Sequence, residues 1–200
     1  MLAALFQPLL RPVSRLLLRT VNVRDPWRRY AQAVPLSRYG AGARRDFGWY
    51  LEGESAVDAV SVADLKAWLL GCAYIRDPDL FHEVDFWQHP CTFEHLRMGD
   101  CEDFALWAWS RLVRLGYDAE FVAGRWLQGG DPSGHAWVVF ADAGTPHVFD
   151  PVIRDETCMV RPLEAVRNEY VPEVSVDGRL NRYVYGGYLQ RLRRERLVPA

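Results

Sequence analysis

Residues 99–116 read GDCEDFALWAWSRLVRLG and carry signals for both ends of one helix. The Asp100 carboxylate is placed to cap the first amides of a helix that begins at Cys101, and Asp103 completes this N-terminal signature. Gly116 is positioned as the terminating residue. The helix is therefore amphipathic and is expected to pack against a broad surface such as a β-sheet. Its apolar stripe consists of Ala105, Ala108, Trp109 and Leu112.

The chain after this helix has the composition of β-strands. The segments 135–141 (HAWVVFA) and 146–151 (PHVFDP) flank the tight-turn sequence Asp142-Ala143-Gly144-Thr145, which predicts an antiparallel hairpin. A further strand is predicted over residues 119–126 (AEFVAGRW). Together these elements predict one α+β domain in which the Cys101 helix packs on an antiparallel sheet.

The register of the hairpin decides which polar side chains meet. A two-residue turn at Ala143-Gly144 places Asp150 opposite Trp137 and diagonal to His135. Opposite and alternate residues share one face of a sheet, so the three side chains are expected on the same side. A register shifted by one residue would separate His135 from Asp150.

Cys101 lies in the first turn of its helix, where unpaired amides and the positive end of the helix dipole favour an anion. We therefore expect a thiolate, which is the nucleophilic form of cysteine. The same amides can hold the oxyanion of an attacked carbonyl. His135 is then the candidate base and Asp150 the residue that orients it, although a lone cysteine can also be a small buried apolar residue.

These residues resemble the transglutaminase-like superfamily of papain-fold cysteine enzymes, and in particular its bacterial cysteine peptidase branch. The resemblance extends over roughly residues 61–151 and includes Trp87 and Pro90 ahead of the cysteine. The motifs that carry it are Gly99-Asp100-Cys101-Glu102-Asp103, Leu115-Gly116, Gly134-His135-Ala136-Trp137-Val138 and Phe149-Asp150-Pro151.

The resemblance implies a papain/transglutaminase-like α+β fold and a Cys-His-Asp triad. Cys101 would be the nucleophile, His135 the base and Asp150 the orienting carboxylate, acting on peptide or amide bonds without a metal or another cofactor. In this branch the usual inferred chemistry is proteolysis or amide transfer, and some members have lost activity and serve as binding modules.

Three further residues are candidates for the substrate cleft. A glutamine donates to the oxyanion in papain-like enzymes, which makes Gln88 a candidate donor, although a surface amide is the alternative. Trp87 and Trp137 are candidate cleft walls, with a place in the core as the alternative. His82, His89, Cys91 and His95 form the only candidate metal cluster, and their irregular spacing favours loop residues over a zinc site.

Other parts of the chain have weaker patterns. A helix is predicted over residues 61–72, an irregular stretch over 76–99, a short helix (LEAVRNEY) after Pro162 and a strand near 180–186.

The domain organisation is read as an amphipathic N-terminal segment (1–21), a single transglutaminase-like domain (22–188) and a basic C-terminal tail (189–200). Residues 1–20 are expected to dock on the domain or to lie on a membrane surface. They fit a secretory signal poorly, which favours a cytoplasmic protein.

Composition excludes several classes of protein. The 200 residues contain 24 Lys and Arg against 26 Asp and Glu, so no overall positive charge draws the protein to nucleic acid. Four cysteines without a C-x-x-C pair do not make a disulfide scaffold.

The sequence thus predicts a thiol-dependent acyl-transfer enzyme of protease, amidase or transglutaminase type, with a protein or peptide as substrate. The alternative is a non-catalytic peptide-binding module on the same fold. A third possibility is a surface-associated protein held by its N-terminal segment and its basic tail.

Overall fold

The computed structural model describes residues 24–31, 47–127 and 133–195 of the 200-residue chain. The segment predicted over residues 1–21 lies outside the described residues. In chain order the elements are β1 (Arg29–Ala31), a 3-10 helix (Phe47–Leu51), α1 (Val62–Leu70), β2 (Ala73–Tyr74), α2 (Asp77–Leu80), α3 (Pro90–Leu96), β3 (Met98–Gly99), α4 (Cys101–Arg114), β4 (Ala119–Trp126), β5 (Ser133–Asp142), β6 (Thr145–Phe149), β7 (Val160–Pro162), α5 (Leu163–Val166), β8 (Tyr170–Asp177), β9 (Arg182–Tyr185) and α6 (Gly186–Glu195).

A seven-stranded sheet organises the domain. Its order is β1-β9-β8-β4-β5-β6-β7, and every neighbouring pair is antiparallel. Strands β2 and β3 form a separate parallel pair. The predicted α+β fold, with the Cys101 helix on an antiparallel sheet, is confirmed.

Helix α4 packs on one face of this sheet. The indole of Trp109 is fully buried and donates from Nε1 to the carbonyl of Ala119 at the start of β4, at 3.2 Å. On the other side of α4, Trp107 stacks on Trp68 of α1 with 4.2 Å between ring centroids. The helix is therefore held between the sheet and α1, which fixes the position of Cys101 at its first turn.

The opposite face of the sheet has its own apolar cluster, formed by Val122, Trp137, Val148, Val166 and Tyr170. In β5, Ala136, Val138 and Phe140 belong to the core that contains α4, whereas Trp137 belongs to this second cluster. Alternation along the strand places His135 on the face of Trp137.

Helix and hairpin predictions agree closely with the structure. Helix α1 begins after Ser61, whose Oγ accepts the backbone N–H of Asp64 at 3.2 Å. The turn residues Ala143 and Gly144 have φ values of 47° and 79°, as a two-residue hairpin turn requires, and Asp142 pairs with Thr145. The predicted register is confirmed.

Three predictions differ from the structure. The stretch 76–99 is not irregular throughout, because it contains α2, α3 and β3. The predicted short helix after Pro162 ends early, and β8 follows it as a strand of the sheet. The boundary predicted at residue 188 falls inside α6, which begins directly after β9.

A β-bulge interrupts the pairing of β4 with β8. Ala123 pairs with Val174 and Gly124 with Pro172, so Glu173 is the extra residue. Proline has no backbone N–H to donate to a β-ladder, and β8 tolerates Pro172 because the regular pairing is interrupted there by the bulge.

The described residues include no helix long and apolar enough to cross a membrane.

Candidate active site

The predicted nucleophile lies at the start of α4 and lines a cavity of about 600 Å³. The helix begins with Asp100 as its N-cap, and Asp103 Oδ2 accepts the backbone N–H of Asp100 at 3.3 Å. His135 lines the same cavity. The structure therefore brings Cys101 and His135 to one cleft from separate elements.

His135 and Asp150 form the hydrogen bond that the hairpin register predicts. His135 Nε2 lies 2.8 Å from Asp150 Oδ2, and the two side chains are 7% and 2% exposed. Asp150 follows β6 directly, and its backbone N–H donates to the carbonyl of Met159 at 2.8 Å. Both ends of this hydrogen bond are therefore fixed by the sheet and the loop beside it.

Aromatic rings surround the imidazole of His135. The ring centroids of Trp126 and Trp137 lie 5.6 and 6.1 Å from that of His135, with interplanar angles of 31° and 27°. Trp137 is fully buried and supports the imidazole from behind, so it is not the cleft wall that the sequence suggested. Trp87 does line the cavity, as predicted.

Glycine and alanine allow the two faces of the sheet to meet at the cavity. His135 and α4 belong to opposite faces, yet both reach the cleft, because the other residues that β4 and β5 present to it are small. These are Ala123, Gly124, Gly134 and Ala136. Bulky side chains at this point would separate Cys101 from His135.

Gln88 does not have the predicted role of an oxyanion donor. Its side chain is buried, and its Nε2 donates to the carbonyl of Met98 at 2.9 Å and to Asp103 Oδ2. Both amide hydrogens are therefore used within the core. Gln88 instead anchors the carboxylate of Asp103 at the first turn of α4.

The surroundings of Cys101 oppose the thiolate that its helix position favours. Burial raises the pKa of the Cys101 thiol well above its ordinary value, and the Glu102 and Asp100 carboxylates raise it further. The backbone of Ala136 acts in the opposite direction through a hydrogen bond to Cys101. The thiol itself donates to Glu102 Oε2 at 3.1 Å. The expected free thiolate is thus not the resting state in this structure.

The carboxylates beside Cys101 extend into a larger acidic cluster. Oxygens of Asp77, Asp100 and Asp103 lie within 4.8 Å of one another, and so do those of Asp77, Asp85 and Glu102. Burial raises the pKa of Asp77 to about 6 and that of Asp103 to about 8. Burial therefore favours the protonated form of these carboxyls, and part of the cluster carries protons near neutral pH.

The histidines and the cysteine considered as zinc ligands do not form such a group among the described residues. His89 Nε2 instead contacts the carbonyl of Trp49 at 2.9 Å, and its Nδ1 accepts the backbone N–H of Cys91 at 3.1 Å. His89 therefore caps helix α3 and anchors it to the 3-10 helix that contains Trp49.

Two residues of the site have no counterpart in the sequence analysis. Tyr170 donates from its hydroxyl to Asp150 Oδ2 at 2.7 Å, and Glu173 lines the cavity between Arg125 and Arg191. Their partners are distant in sequence, so no local pattern indicates them. The glycine inside the β4 pattern was the available signal for the bulge that presents Glu173.

The sequence matches no protein-family model and no curated protein. Among solved structures the chain is similar to LapG of Legionella pneumophila, with 20% identity and a TM-score of 0.49 over 78% of this chain and 86% of that one. Calcium-bound LapG gives 20% identity and a TM-score of 0.46 over 70% and 77% of the two chains. A protein from Cytophaga hutchinsonii described as a candidate cysteine protease gives 15% identity and a TM-score of 0.40 over 76% and 50%. The chemistry of this chain is therefore inferred from its own side chains.

Proposed function

We propose that this protein is a thiol-dependent acyl-transfer enzyme of the transglutaminase-like superfamily, acting on a peptide or protein substrate. Cys101 is its nucleophile, His135 its base and Asp150 the residue that orients the base. The observation that carries the proposal is the 2.8 Å hydrogen bond between His135 Nε2 and Asp150 Oδ2 at the cavity that Cys101 also lines. A site that had lost catalytic activity would have no physical need to keep this arrangement.

The first step is proton transfer from the Cys101 thiol to His135. Asp150 occupies Nε2 of the imidazole, which leaves Nδ1 for the thiol proton. The transfer converts a neutral pair into a thiolate and an imidazolium, and each stabilises the other. Because burial and carboxylates raise the pKa of Cys101, this pairing is essential to form the nucleophile.

The second step forms and resolves an acyl-enzyme. The Cys101 sulfur attacks the carbonyl carbon, and the tetrahedral intermediate collapses as His135 gives its proton to the leaving amine. Water or another amine then attacks the thioester, returns a proton through His135 and restores the thiol. The backbone N–H of Cys101, at the first turn of α4, is a donor available to the oxyanion.

The acidic cluster fits a divalent cation such as Ca²⁺, which takes carboxylate oxygens as ligands. Asp77 is 1% exposed, and both its Oδ1 and the Oδ1 of Asp100 lack a hydrogen-bond partner in the structure. A buried carboxylate oxygen without a partner is costly unless a cation or a proton satisfies it. Asp77, Asp100 and Asp103 would hold the ion, and its charge would oppose the effect of the carboxylates on the neighbouring thiol.

The test of the triad is the rate of alkylation of each cysteine by iodoacetamide, read by peptide mass mapping. We expect Cys101 to react faster than Cys72, Cys91 and Cys158 at neutral pH, and to lose that advantage in His135→Ala. The matched control is His147→Ala, since His147 lies on the same hairpin, where it contacts the carbonyl of Thr145 at 2.9 Å and packs against the ring of Phe140. An equal rate in wild type and His135→Ala would refute the role of His135 as the base.

The cation is tested separately by thermal unfolding in calcium and in a chelator. We expect the midpoint to rise with calcium and the rise to be lost in Asp77→Asn. An unchanged midpoint at millimolar calcium would exclude the site.

The alternative is a peptide-binding module on the same fold. The high pKa of the Cys101 thiol is the observation that favours it, because a thiol that keeps its proton is a poor nucleophile. It would be preferred if Cys101 reacts no faster than the other three cysteines with calcium present and absent.

A further inference from the structure

Tyr170 connects the triad to a charged pair, Arg161 and Glu169, on the same face of the sheet. It is the first residue of β8 and is fully buried. Its hydroxyl lies 2.7 Å from Asp150 Oδ2 and 3.3 Å from a guanidinium nitrogen of Arg161. Arg161 also donates to both carboxylate oxygens of Glu169, at 3.1 and 2.9 Å.

The donors that Arg161 and Tyr170 carry determine the direction of the hydrogen bond between Tyr170 and Asp150. A guanidinium has donors only, so the Tyr170 oxygen must accept from Arg161. The one phenolic hydrogen is then available for Asp150, which accepts it. Burial and the adjacent Asp150 carboxylate raise the pKa of the Tyr170 phenol, so it keeps this hydrogen at neutral pH. Tyr170 therefore donates to the same Oδ2 atom that contacts His135.

The ring of Tyr170 is held as firmly as its hydroxyl. It packs 5.1 Å from the ring of Trp137 and 6.5 Å from that of Trp126, centroid to centroid. The same two indoles flank His135. The carbonyl of Tyr170 accepts Trp27 Nε1 at 3.1 Å. The phenol is thus a fixed donor aimed at the carboxylate.

We propose that Tyr170 is a positioning residue of the active site: its hydroxyl fixes the Asp150 carboxylate in the rotamer that orients His135 toward Cys101. The proposal rests on the Cys-His-Asp function proposed above. Asp150 Oδ1 contributes a weaker constraint, since it accepts the backbone N–H of Val152 at 3.4 Å. Without the phenol, the carboxylate would be free to rotate away from His135 Nε2.

The competing explanation is that Asp150 only satisfies a buried hydroxyl. The two explanations differ in what happens when the hydroxyl is removed. If Tyr170 acts through Asp150, its removal slows the chemistry of Cys101 and has no further effect once Asp150 can no longer orient His135. A hydroxyl that merely stabilises the fold lowers the unfolding midpoint and leaves the reaction of Cys101 unchanged.

The experiment is a double-mutant cycle on the alkylation rate of Cys101 at neutral pH, with the variants Tyr170→Phe, Asp150→Asn and the pair. We expect Tyr170→Phe to slow alkylation about 10-fold, as the loss of a hydrogen bond to a charged group implies. In the Asp150→Asn background the same change should alter the rate less than about 2-fold. The matched control is Tyr183→Phe, which removes a hydroxyl that contacts Asp177 at 3.4 Å.

Two results would overturn the proposal. One is an alkylation rate in Tyr170→Phe equal to that in Tyr183→Phe. The other is a double variant whose loss of rate equals the full product of the losses in Tyr170→Phe and Asp150→Asn. His135→Ala separates this failure from failure of the function itself. If His135→Ala slows alkylation and Tyr170→Phe does not, only the positioning role is refuted. If neither slows it, the proposed triad fails.

Arg161→Met gives the same test without changing the buried ring. It removes the donor on the far side of the Tyr170 hydroxyl, at a side chain that is 24% exposed. We expect a slowing of about 3-fold, a fraction of the effect expected for a full hydrogen bond to a charged group, which disappears in the Asp150→Asn background. An unchanged rate in Arg161→Met would refute the inference even if Tyr170→Phe does not fold.

Discussion

Gly124 offers a sharp test of how β4, β8 and the candidate site are packed. The perturbation is Gly124→Ala, which adds one methyl group opposite His135 in the β4–β5 ladder. The added Cβ would lie 2.3 Å from the carbonyl oxygen of Val171, 2.8 Å from the indole of Trp137 and 3.0 Å from Pro172 Cα. Two of these three contacts are to backbone, so rotating a side chain cannot relieve them.

The expected cost follows from these distances. An ordinary contact needs roughly 1 Å more space, so β8 must move away from β4 at the bulge or Trp137 must shift. Inserting a methyl group into such a packed region costs about 1–3 kcal/mol. Alanine recovers about 0.5–1 kcal/mol of the conformational entropy that glycine loses in a strand. We therefore expect a net loss of about 1–2 kcal/mol and a midpoint lowered by roughly 2–8 °C.

The assay is thermal and urea unfolding followed by circular dichroism, with Cys101 alkylation measured on the folded variant. Gly134→Ala is the matched control, because it lies on β5 beside the same cavity and an added Cβ there meets nothing within 4 Å. We expect Gly134→Ala to unfold at or above the wild-type midpoint. Equal midpoints for the two variants would refute the packing argument at the bulge.

Three further predictions concern pH, one hydrogen-bonded carboxylate and the hairpin turn. The carboxyls of Asp77 and Asp103, with pKa values of about 6 and about 8, keep protons in the folded state that the unfolded chain has released above pH 4. Stability in a chelator should therefore fall as pH rises from about 4 to 8, and urea titrations that show a rise instead would contradict these shifts. Asp103→Asn should flatten the upper part of that profile, and it should also cost about 1–3 kcal/mol near pH 5 because it disrupts the contacts with the Gln88 amides. Ala143→Gly should raise the free energy of unfolding by about 0.5–1 kcal/mol, because Ala143 has a φ of 47°, which favours glycine. A lowered unfolding midpoint in this variant would contradict the turn geometry.

The parts of the fold that sequence predicts well are those with local signals. The N-cap and terminating glycine of α4, the Ser61 cap of α1 and the two-residue turn at Ala143-Gly144 each depend on residues a few positions apart. The turn then fixes the register of β5 and β6, so the contact between His135 and Asp150 could be predicted by counting.

The parts that sequence does not predict depend on distant partners. Strand β8 has Pro172 and Glu173 where a regular strand would alternate, and only the bulge against β4 explains them. Gln88 is an ordinary polar residue in the sequence, and it becomes an internal anchor because Asp103 lies 15 positions away in the chain and next to it in space. Trp137 is buried because β8 brings Tyr170 over it.

The pKa of the Cys101 thiol reflects burial and neighbouring acidic residues on one side and a helix terminus on the other. A charge near a helix N-terminus gains about 0.3–1 kcal/mol from the dipole. Burial, together with the acidic side chains of Glu102 and Asp100, outweighs the dipole and raises the pKa of the thiol.

This balance makes the positive partners of the site decisive. In the proposed mechanism, the thiolate is stabilised chiefly by an imidazolium at His135 or by a cation among the carboxylates. In the same proposed mechanism, the hydrogen bonds that Asp150 accepts from His135 and from Tyr170 hold that positive charge beside the sulfur. The sequence motif points to the candidate nucleophile at the helix terminus, whereas its proposed activation depends on contacts between residues of different strands.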